Sequence, residues 1–406
     1  MPTLEWIGKE KVVNHHLEVP YRVLERKYSF DENGTHQEDN GSENMIIRGD
    51  NLEALKALLP RYEGKVKCIY IDPPYNTGNE GWVYNDNVND PHIKEWLNKT
   101  VDKEGEDLTR HDKWLCMMYP RLKLLQKLLA EDGVIFISID DNELFTLKFI
   151  CDEIFGKYNY VSMITRPTGT HTGVTNKAIV GESDYILAYA KNLDAMGIDG
   201  LPLQDKDTKI YDMEDERGRF LIRPLRRTGG ENRREDRPNM FFPIKAPDGT
   251  EVYPIGPTGY ESRWICNPEG YRHFEREGRI FWKKIEDGEI VKWQVYQKFY
   301  LENKKKAVSN LWNDIDGNKK ATRDVRNIFS DDSIKFDFPK PIALIERILQ
   351  LDSDSNMIIL DSFAGSGTTA HAVLNMNKAD GGHRKFILVE MMDYADSITA
   401  ERVKRV

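Results

Sequence analysis

The chain has 406 residues, of which 39% are hydrophobic and 31% charged, and its net charge is −9. This length allows two domains, or one large domain with an insertion. No stretch reaches the roughly 18 consecutive apolar residues of a membrane span, and the N-terminus lacks the layout of a signal peptide. The four cysteines lie far apart and the nine histidines show no ligand spacing, which argues against a metal cluster or a disulfide framework. We therefore expect a cytoplasmic protein without a metal site or a membrane segment.

Residues 1–43 are mixed and polar, and the part from Phe30 to Ser42 is predicted to be a flexible loop. A strand-like Met45-Ile46-Ile47 then leads into Gly49-Asp50 and a helical pattern. Asp50 followed by Glu53 resembles a capping box, so a purely structural role as helix cap is open for this carboxylate.

The apolar, β-branched run at 66–71 predicts a buried strand, and it leads directly into Asp72-Pro73-Pro74-Tyr75. The two prolines fix φ, donate no backbone N–H and push Asp72 towards an extended conformation. The resulting rigid turn suits a planar amine, because its carboxylate and free carbonyls can accept the two amine hydrogens. The Tyr75 ring can stack on the attached base. For an Asp-Pro pair alone an ordinary turn would be preferred, but the four residues together on a buried strand are more specific.

Helix and strand patterns alternate up to about residue 190, which predicts a mostly parallel α/β sheet. Residues 76–110 interrupt the pattern, and a loop of this length in a compact domain is more often functional than idle. After residue 191 the α/β rhythm stops until about residue 325, which indicates an inserted second domain. Within it, Arg217–Arg237 holds eight arginines and three acids, a net charge of +5 in an acidic chain.

A second constellation follows where the α/β rhythm resumes. Lys340-Pro341 precedes a helix that Pro341 is well placed to open. A strand then runs into a glycine loop at 361–369, a helix follows, and a further strand ends in Glu390. This is the order of a nucleoside-binding half-unit, in which glycines allow close backbone approach and the acid pairs with ribose hydroxyls. Thr368 stands where a P-loop needs Lys, which disfavours ATP hydrolysis. NAD stays open, although no constellation for hydride transfer accompanies it.

Asp72-Pro73-Pro74-Tyr75 resembles the catalytic motif of the DNA amino-methyltransferases, and Asp361-x-Phe363-x-Gly365-x-Gly367 resembles their S-adenosylmethionine loop. The catalytic motif comes first, the Arg-rich insertion next and the glycine loop last, which is the circularly permuted order of the β group. The resemblance covers residues 44–190 and 335–406 and implies a Rossmann-like S-adenosylmethionine-dependent methyltransferase sheet. The implied domains are an N-terminal extension (1–43), a catalytic half (44–190), an inserted target-recognition domain (191–325) and a cofactor-binding half (326–406).

The resemblance also implies a role for each motif. The amine of a flipped-out adenine would donate to Asp72 and to the Pro73 carbonyl, and the base would stack on Tyr75. The implied catalytic residues are Asp72, Pro73, Pro74 and Tyr75. The implied cofactor-binding residues are Asp361, Phe363, Ala364, Gly365, Gly367, Thr368, Glu390, Lys340, Pro341 and Asp50. Arginine reads guanine edges and phosphates, so the predicted DNA contacts are Arg226, Arg227, Arg233, Arg234 and Arg237. A solvated surface paired with neighbouring acids is the alternative for this cluster.

The function implied is a site-specific DNA adenine-N6 methyltransferase acting on double-stranded DNA, as the modification component of a restriction–modification system. Segments such as Arg226-Arg227-Thr228-Gly229-Gly230 resemble type III modification subunits, which are often longer than this chain, so a truncated chain and a compact relative are both open. A separate restriction subunit with nuclease and helicase activity and a homodimer are both allowed. Three alternatives stay open: a cytosine-N4 enzyme, which more often has Ser in place of Asp72; a protein-glutamine methyltransferase, which typically has Asn there; and a non-catalytic DNA-recognition subunit.

Overall fold

The computed structural model describes residues 3–77, 108–169, 179–198, 200–287, 290–302, 304–329 and 336–406. Most of the predicted functional loop at 76–110 therefore lies outside the described residues. The chain divides into two compact units. The first unit comprises Met1–Leu201 and Ala307–Val406, and the second comprises Pro202–Lys306. The second unit is therefore narrower than the insertion predicted at 191–325.

Both units contain short and long strands, and the two longest strands, Leu129–Ile139 and Ile290–Tyr300, have 11 residues each. In chain order they are β1 (Ser29–Asp31), β2 (Gly34–His36), β3 (Met45–Arg48), β4 (Val66–Ile71), β5 (Leu129–Ile139), β6 (Tyr160–Pro167), β7 (Ser183–Ala190), β8 (Leu201–Pro202), β9 (Met213–Asp215), β10 (Gly218–Pro224), β11 (Ile244–Lys245), β12 (Glu251–Val252), β13 (Ile280–Asp287), β14 (Ile290–Tyr300), β15 (Lys305–Lys306), β16 (Ile358–Asp361) and β17 (Lys385–Glu390).

The α-helices of the first unit include those expected from the helical patterns of the sequence, and further helices lie near the N-terminus, at Asn318–Phe329 and at Glu401–Arg405. They span Lys9–Val12, His15–Glu18, Asn51–Tyr62, Leu108–Leu128, Leu144–Cys151, Asn318–Phe329, Ile342–Gln350, Thr368–Asp380 and Glu401–Arg405. The second unit contains Asp205–Thr208 and Pro268–Arg276. The helix Leu108–Leu128 continues through Pro120, because the burial of apolar residues on either side, such as Met118 and Leu122, outweighs one lost backbone hydrogen bond.

The first unit is built on a seven-stranded sheet with the order β3-β17-β16-β4-β5-β7-β6. Neighbouring strands from β3 to β5 are parallel, and β7 pairs antiparallel with both β5 and β6. The predicted mostly parallel α/β sheet is confirmed. The two strands nearest the C-terminus, β16 and β17, lie between β3 and β4, which are consecutive in sequence. The two motifs at the ends of β4 and β16 therefore become neighbours.

Two apolar clusters cover the two faces of this sheet. Along β4, Ile69 and Ile71 belong to one cluster, whereas Cys68 and Tyr70 belong to the other, as expected from the alternation of side chains along a strand. The helices at 51–62, 108–128 and 144–151 pack on the first face, and those at 342–350 and 368–380 pack on the second. Because both faces are covered, the central strands read as continuous apolar runs in the sequence.

The N-terminal segment differs from its prediction. Its side chains Trp6 and Val12 are buried in the first cluster, so this part of the chain is packed. The predicted flexible loop from Phe30 to Ser42 is wrong at its start, where β1 and β2 form an antiparallel hairpin. The hairpin turns at Glu32-Asn33, and Gly34, the first residue of β2, has φ 112°, a conformation that glycine adopts without steric cost.

The second unit contains a four-stranded antiparallel sheet with the order β13-β14-β10-β9. Its own small core includes Leu225, Trp264 and Val295. Trp264 is buried in this core. The unit therefore has a hydrophobic core separate from those of the large sheet.

Candidate functional site

A cavity of about 860 Å³ opens in the first unit at the carboxyl ends of β4 and β16. One wall comes from the turn after β4 and another from the glycine loop after β16, so the tertiary structure brings the two sequence motifs to one site. The lining residues are Tyr70, Asp72, Pro73, Pro74, Tyr75, Thr77, Thr168, Asp184, Asn318, Phe336, Asp337, Phe338, Pro339, Lys340, Asp361, Phe363, Ala364, Gly365, Ser366, Thr368, Thr369, Met392 and Tyr394.

Asp72 presents one paired and one unpaired oxygen. Its Oδ2 lies 2.7 Å from Nζ of Lys340, and the two side chains are only 22% and 8% exposed, respectively. The other oxygen, Oδ1, is buried and has no hydrogen-bond partner among the residues that the structure describes. A buried carboxylate oxygen without a donor costs free energy, so it marks a position where a ligand donor would be stabilising.

Tyr75 is held from two sides. Its hydroxyl donates to Oδ2 of Asp184 at 3.4 Å, and Nζ of Lys340 lies 4.8 Å from the centre of its ring. Burial, with a contribution from the negative charge of Asp72, holds the pKa of Tyr75 well above its usual value, so the phenol remains a donor. Asp184 also accepts from Nη2 of the fully buried Arg166 at 3.1 Å. The ring is thereby fixed at the edge of the cavity.

The turn itself is supported from the following helix. Nε1 of Trp114 donates to the carbonyl of Pro74 at 2.7 Å, so this carbonyl is occupied. Trp114 is fully buried, which makes the contact rigid. The two prolines contribute φ restriction, and the helix Leu108–Leu128 adds a tertiary anchor.

The glycine loop places its backbone at the cavity. Gly365 lines the cavity with φ 52°, and a Cβ atom there would come within 3.2 Å of Cζ of Phe336. Gly367 has φ 78° and caps the helix Thr368–Asp380, and a Cβ there would meet the carbonyl of Thr399 at 3.1 Å. The loop thus needs glycine at both positions, but only Gly365 lines the cavity.

Glu390 accepts hydrogen bonds from the backbone of the glycine loop and from the segment after β17. Its Oε2 accepts from the backbone N–H of Gly365 at 2.7 Å and its Oε1 from that of Met392 at 3.0 Å. Burial raises the pKa of Glu390, and these two hydrogen bonds oppose the rise. Glu390 is not among the residues that line the cavity, although Met392 is.

Asp361 is a second buried carboxylate of the site. It accepts from the hydroxyl of Thr369 at 2.6 Å and from the backbone N–H of Phe363 at 3.0 Å. Burial raises its pKa to about 7, and the two hydrogen bonds act in the opposite direction. These hydrogen bonds of Asp361 therefore fix the conformation of the glycine loop. Asp361 also lines the cavity.

Three further residues were predicted to bind the cofactor, namely Lys340, Pro341 and Asp50, and the structure gives each of them a different environment. Lys340 lines the cavity but pairs with Asp72, whereas Pro341 is the N-cap of the helix Ile342–Gln350. Asp50 caps the helix Asn51–Tyr62 by accepting from the backbone N–H groups of Leu52 and Glu53, and its Oδ2 lies 3.5 Å from Arg121. The structural role that the sequence left open for Asp50 is the one observed. Neither Asp50 nor Pro341 lines the cavity.

Sequence reasoning missed several residues of the cavity. Asp184 is the second residue of β7, Asn318 begins a helix, and Phe336 and Tyr394 pack edge-on with ring centres 5.3 Å apart. None of them belongs to a motif with recognisable spacing. Tyr394 lies four residues beyond Glu390, in the segment that follows β17. Its position after a strand that ends in an acid is the one sequence signal that could have indicated it.

The predicted DNA-binding arginines lie in the second unit, and four of the five are exposed, Arg226 being half-buried. Arg234 pairs with Glu261 at 2.7 Å, and Arg233 lies 5.2 Å from the ring centre of Tyr260. Arg237 lines a separate cavity of about 480 Å³. The Arg234 pair does not involve the acids of the cluster, and an exposed pair of this kind contributes about 0–1 kcal/mol, so it would not prevent other contacts.

Two absences concern the described residues alone. Among them, no cluster of His, Cys, Asp and Glu side chains could hold a metal ion. Within the same ranges, no helix is long and apolar enough to cross a membrane.

The family model described as "DNA methylase" matches residues 66–401, which include both motifs and the second unit. The chain belongs to the DNA methylase family. Among relatives of this chain, the EcoPI Mod subunit of a type III restriction-modification enzyme, from Escherichia phage P1, is 33% identical over 96% of the chain and 63% of that protein. The type II methyltransferase M.KpnI of Klebsiella pneumoniae is 36% identical over 87% of the chain and 81% of its own length.

The chain spans 58–64% of the length of three type III Mod subunits that it resembles. Among solved structures, the PvuII DNA methyltransferase (cytosine-N4-specific) aligns with 89% of this chain and 86% of its own, at 12% identity and a TM-score of 0.46.

Proposed function

We propose that this methylase transfers a methyl group from S-adenosylmethionine to the N6 amine of a flipped-out adenine in double-stranded DNA. The observation that carries the proposal is the buried, unpaired Oδ1 of Asp72 in a cavity shared with the glycine loop. An amine that donates to this oxygen would lie in the same cavity as a ligand on the loop.

The cavity fits the proposed cofactor. Its volume is about 860 Å³, within the range of pockets for ligands of this size, and it combines aromatic walls with buried carboxylates. Phe363, Ala364, Gly365 and Thr368 would line the cofactor, since these residues face the cavity. The backbone at Gly365 can approach a ligand because no side chain intervenes. S-adenosylmethionine, when bound, supplies a methyl group on a positively charged sulfur.

The residues after β4 would prepare the amine. The lone pair of an exocyclic amine is delocalised into the base, so the amine is a weak nucleophile. A hydrogen bond to Oδ1 of Asp72 would increase electron density on its nitrogen and fix its direction. Tyr75, held by Asp184, would stack on the base and offset part of the few kcal/mol that flipping costs. Most of the acceleration is then positioning and electrostatics.

Asp at position 72 favours adenine over cytosine, because cytosine-N4 enzymes more often carry Ser at the matching position of this motif. The test is direct. The full chain is incubated with bacterial DNA and methyl-labelled S-adenosylmethionine, and the modified nucleoside is identified by mass spectrometry. N6-methyladenine supports the proposal, N4-methylcytosine supports the alternative, and no label in DNA contradicts both.

Gly365→Ala is expected to weaken S-adenosylmethionine binding about tenfold or more, because the new Cβ meets Phe336 and a left-handed backbone is strained for alanine. Calorimetric titration measures the change. Gly381→Ala is the matched control, since Gly381 also has a positive φ of 71° but has open space around it and lies outside the cavity. Equal affinities in the two variants would remove the glycine loop from the site.

We also propose that the second unit recognises DNA. It has no catalytic motif, and its exposed arginines carry positive charge in an acidic chain. Arginine is suited to this task because its planar fork binds phosphates and guanine edges. The aromatic contacts of Arg233 with Tyr260 and of Arg234 with Phe241, at 5.2 and 4.5 Å, would hold both guanidinium groups in defined orientations.

Changing Arg226, Arg227, Arg233 and Arg234 together to Ala should weaken DNA binding while S-adenosylmethionine affinity stays unchanged. Each lost phosphate contact should reduce the slope of log affinity against log salt concentration by about one. Each lost base contact should reduce the difference in binding free energy between cognate and scrambled DNA by roughly 1–3 kcal/mol. Titrations at several salt concentrations on cognate and scrambled duplexes distinguish the two. The control removes the same charge from four exposed side chains of the first unit, Arg22, Arg26, Lys27 and Arg61. Equal losses in both variants would show a purely overall charge effect.

The restriction–modification context rests on the relatives. The type III proteins are described as Mod subunits of a restriction-modification enzyme, and we propose the same modification role here. A cytoplasmic location fits an enzyme whose substrate is bacterial DNA. A separate restriction subunit and a homodimer are proposed partners, and co-purification and light scattering would detect them.

A further inference from the structure

Glu143 is a buried carboxylate that the proposed mechanism does not use. It is 0% exposed and directly precedes the helix Leu144–Cys151. Its Oε1 accepts from Nδ2 of Asn76 and lies 2.6 Å from Nδ1 of His111. Its Oε2 accepts from the hydroxyl of Thr146. Burial of a carboxylate is costly unless its oxygens are satisfied, and here both of them have partners.

Asn76 connects this carboxylate to the motif after β4. It follows Tyr75 directly, is fully buried, and has φ 61°, a left-handed conformation that few non-glycine residues adopt. Its Nδ2 also lies 3.4 Å from the carbonyl of Arg110. The strained backbone of Asn76 is therefore held by side-chain hydrogen bonds, and Glu143 is the charged partner among them.

The first turns of the helix Leu108–Leu128 contact both Glu143 and the motif. His111 contacts Glu143, and one turn further Trp114 donates to the carbonyl of Pro74. Glu143 lies between β5 and the helix Leu144–Cys151. Its hydrogen bonds thus connect this segment to the residue after the motif and to the helix Leu108–Leu128, both of which are distant in sequence. Removal of its carboxylate would release Asn76 and His111 together but would leave the lining of the cavity unchanged, because Glu143 does not line it.

We propose that Glu143 is a positioning residue for methyl transfer: through Asn76 it fixes the turn that presents Asp72 and Tyr75. The inference rests on the proposed function, since it names a residue that aligns its catalytic motif. Misplacement of a reacting group by about 1 Å can cost about 10²-fold in rate without loss of ligand binding. Glu143 should therefore act on kcat and not on cofactor affinity.

The experiment changes Glu143 and Asn76 separately and then exchanges the carboxylate and the amide between these two positions. Glu143→Ala should lower kcat about tenfold to a hundredfold, with the KM for DNA and the Kd for S-adenosylmethionine changed by less than about threefold. Glu143→Gln should retain most of the rate, because its amide oxygen can replace Oε1 and its amide nitrogen can donate to Thr146. Asn76→Asp should be as slow as Glu143→Ala, because it places two carboxylates in contact. The double variant Asn76→Asp with Glu143→Gln should recover about tenfold over Asn76→Asp, since it restores a donor–acceptor pair.

The control is Glu153→Ala, which removes a half-buried carboxylate that binds Tyr119 and Lys9 at 2.7 and 2.9 Å, away from the motif. It should lower the melting temperature but not kcat. An active wild-type enzyme with equally active Glu143→Ala overturns this inference alone. Loss in every Glu143 variant without recovery in the double variant also overturns it, since the residue would then be only structural. An inactive wild-type enzyme instead contradicts the proposed function.

Discussion

The Asp72→Ala variant is expected to lose methyl transfer by about 10³-fold or more, because the target amine no longer has an acceptor that orients its lone pair. Affinity for S-adenosylmethionine should change by less than about threefold, since the carboxylate pairs with Lys340 and leaves the glycine loop intact. Single-turnover kinetics and calorimetric titration give the two quantities separately.

Asp72→Asn separates charge from shape, because it keeps an acceptor oxygen but leaves Lys340 without its negative partner. Its rate should fall between those of the alanine variant and the wild type. Asp141→Ala is the control, since Asp141 is an exposed carboxylate just beyond the carboxyl end of the neighbouring strand β5. Near-normal turnover of Asp72→Ala would show that the role assigned to this carboxylate is wrong.

Lys340→Met should lower kcat by about tenfold to a hundredfold, because Asp72 loses the cation that holds its Oδ2 at 2.7 Å and leaves Oδ1 for the substrate. The same change also removes the ammonium group 4.8 Å from the centre of the Tyr75 ring. Breaking a buried ion pair typically costs about 3–5 kcal/mol, so the melting temperature should fall as well. Steady-state kinetics with thermal unfolding measures both effects.

Lys340→Arg keeps the positive charge and should retain more activity than Lys340→Met. Lys385→Met is the control, since it breaks a partly exposed ion pair with Glu43, and neither of these two residues lines the cavity. The resemblance placed Lys340 at the cofactor, and in the structure its ammonium group lies 2.7 Å from Oδ2 of Asp72. A rise in the Kd for S-adenosylmethionine with an unchanged kcat would assign Lys340 to the cofactor after all.

Part of this site could be predicted because its signals are local. The strand before Asp72, the proline turn and the glycine loop each follow from residue types within a few positions of one another. The mostly parallel sheet follows from the alternation of helical and strand periods over longer windows. The approximate place of the inserted unit follows from the loss of this rhythm after residue 191, although the observed unit begins at Pro202 and ends at Lys306.

Positions of single side chains could not be predicted where a local and a tertiary role compete. Two roles were open for Asp50: a helix cap, from the capping-box pattern, and a cofactor contact, from the motif resemblance. The structure shows Asp50 as the N-cap of the helix Asn51–Tyr62. Gly367 has the positive φ expected of the loop, but Thr399 is the neighbour that a side chain would meet. The cap of Asp50 uses the nearby N–H groups of Leu52 and Glu53, so a local pattern can encode it. The neighbour of Gly367 belongs to a distant segment of the chain, which no local pattern encodes.

The residues of the two motifs can be recognised from local sequence, since backbone restriction and periodicity act over neighbouring positions. The place of β16 beside β4 is visible only in the folded chain, because the hydrogen-bond partners of a strand are not specified by its own residues. The pairing of Lys340 with Asp72, the support of Tyr75 by Asp184 and the hydrogen bonds of Glu143 follow from that arrangement. Each depends on burial that removes water from residues distant in sequence, and this burial makes their charges and hydrogen bonds strong enough to position a reacting group.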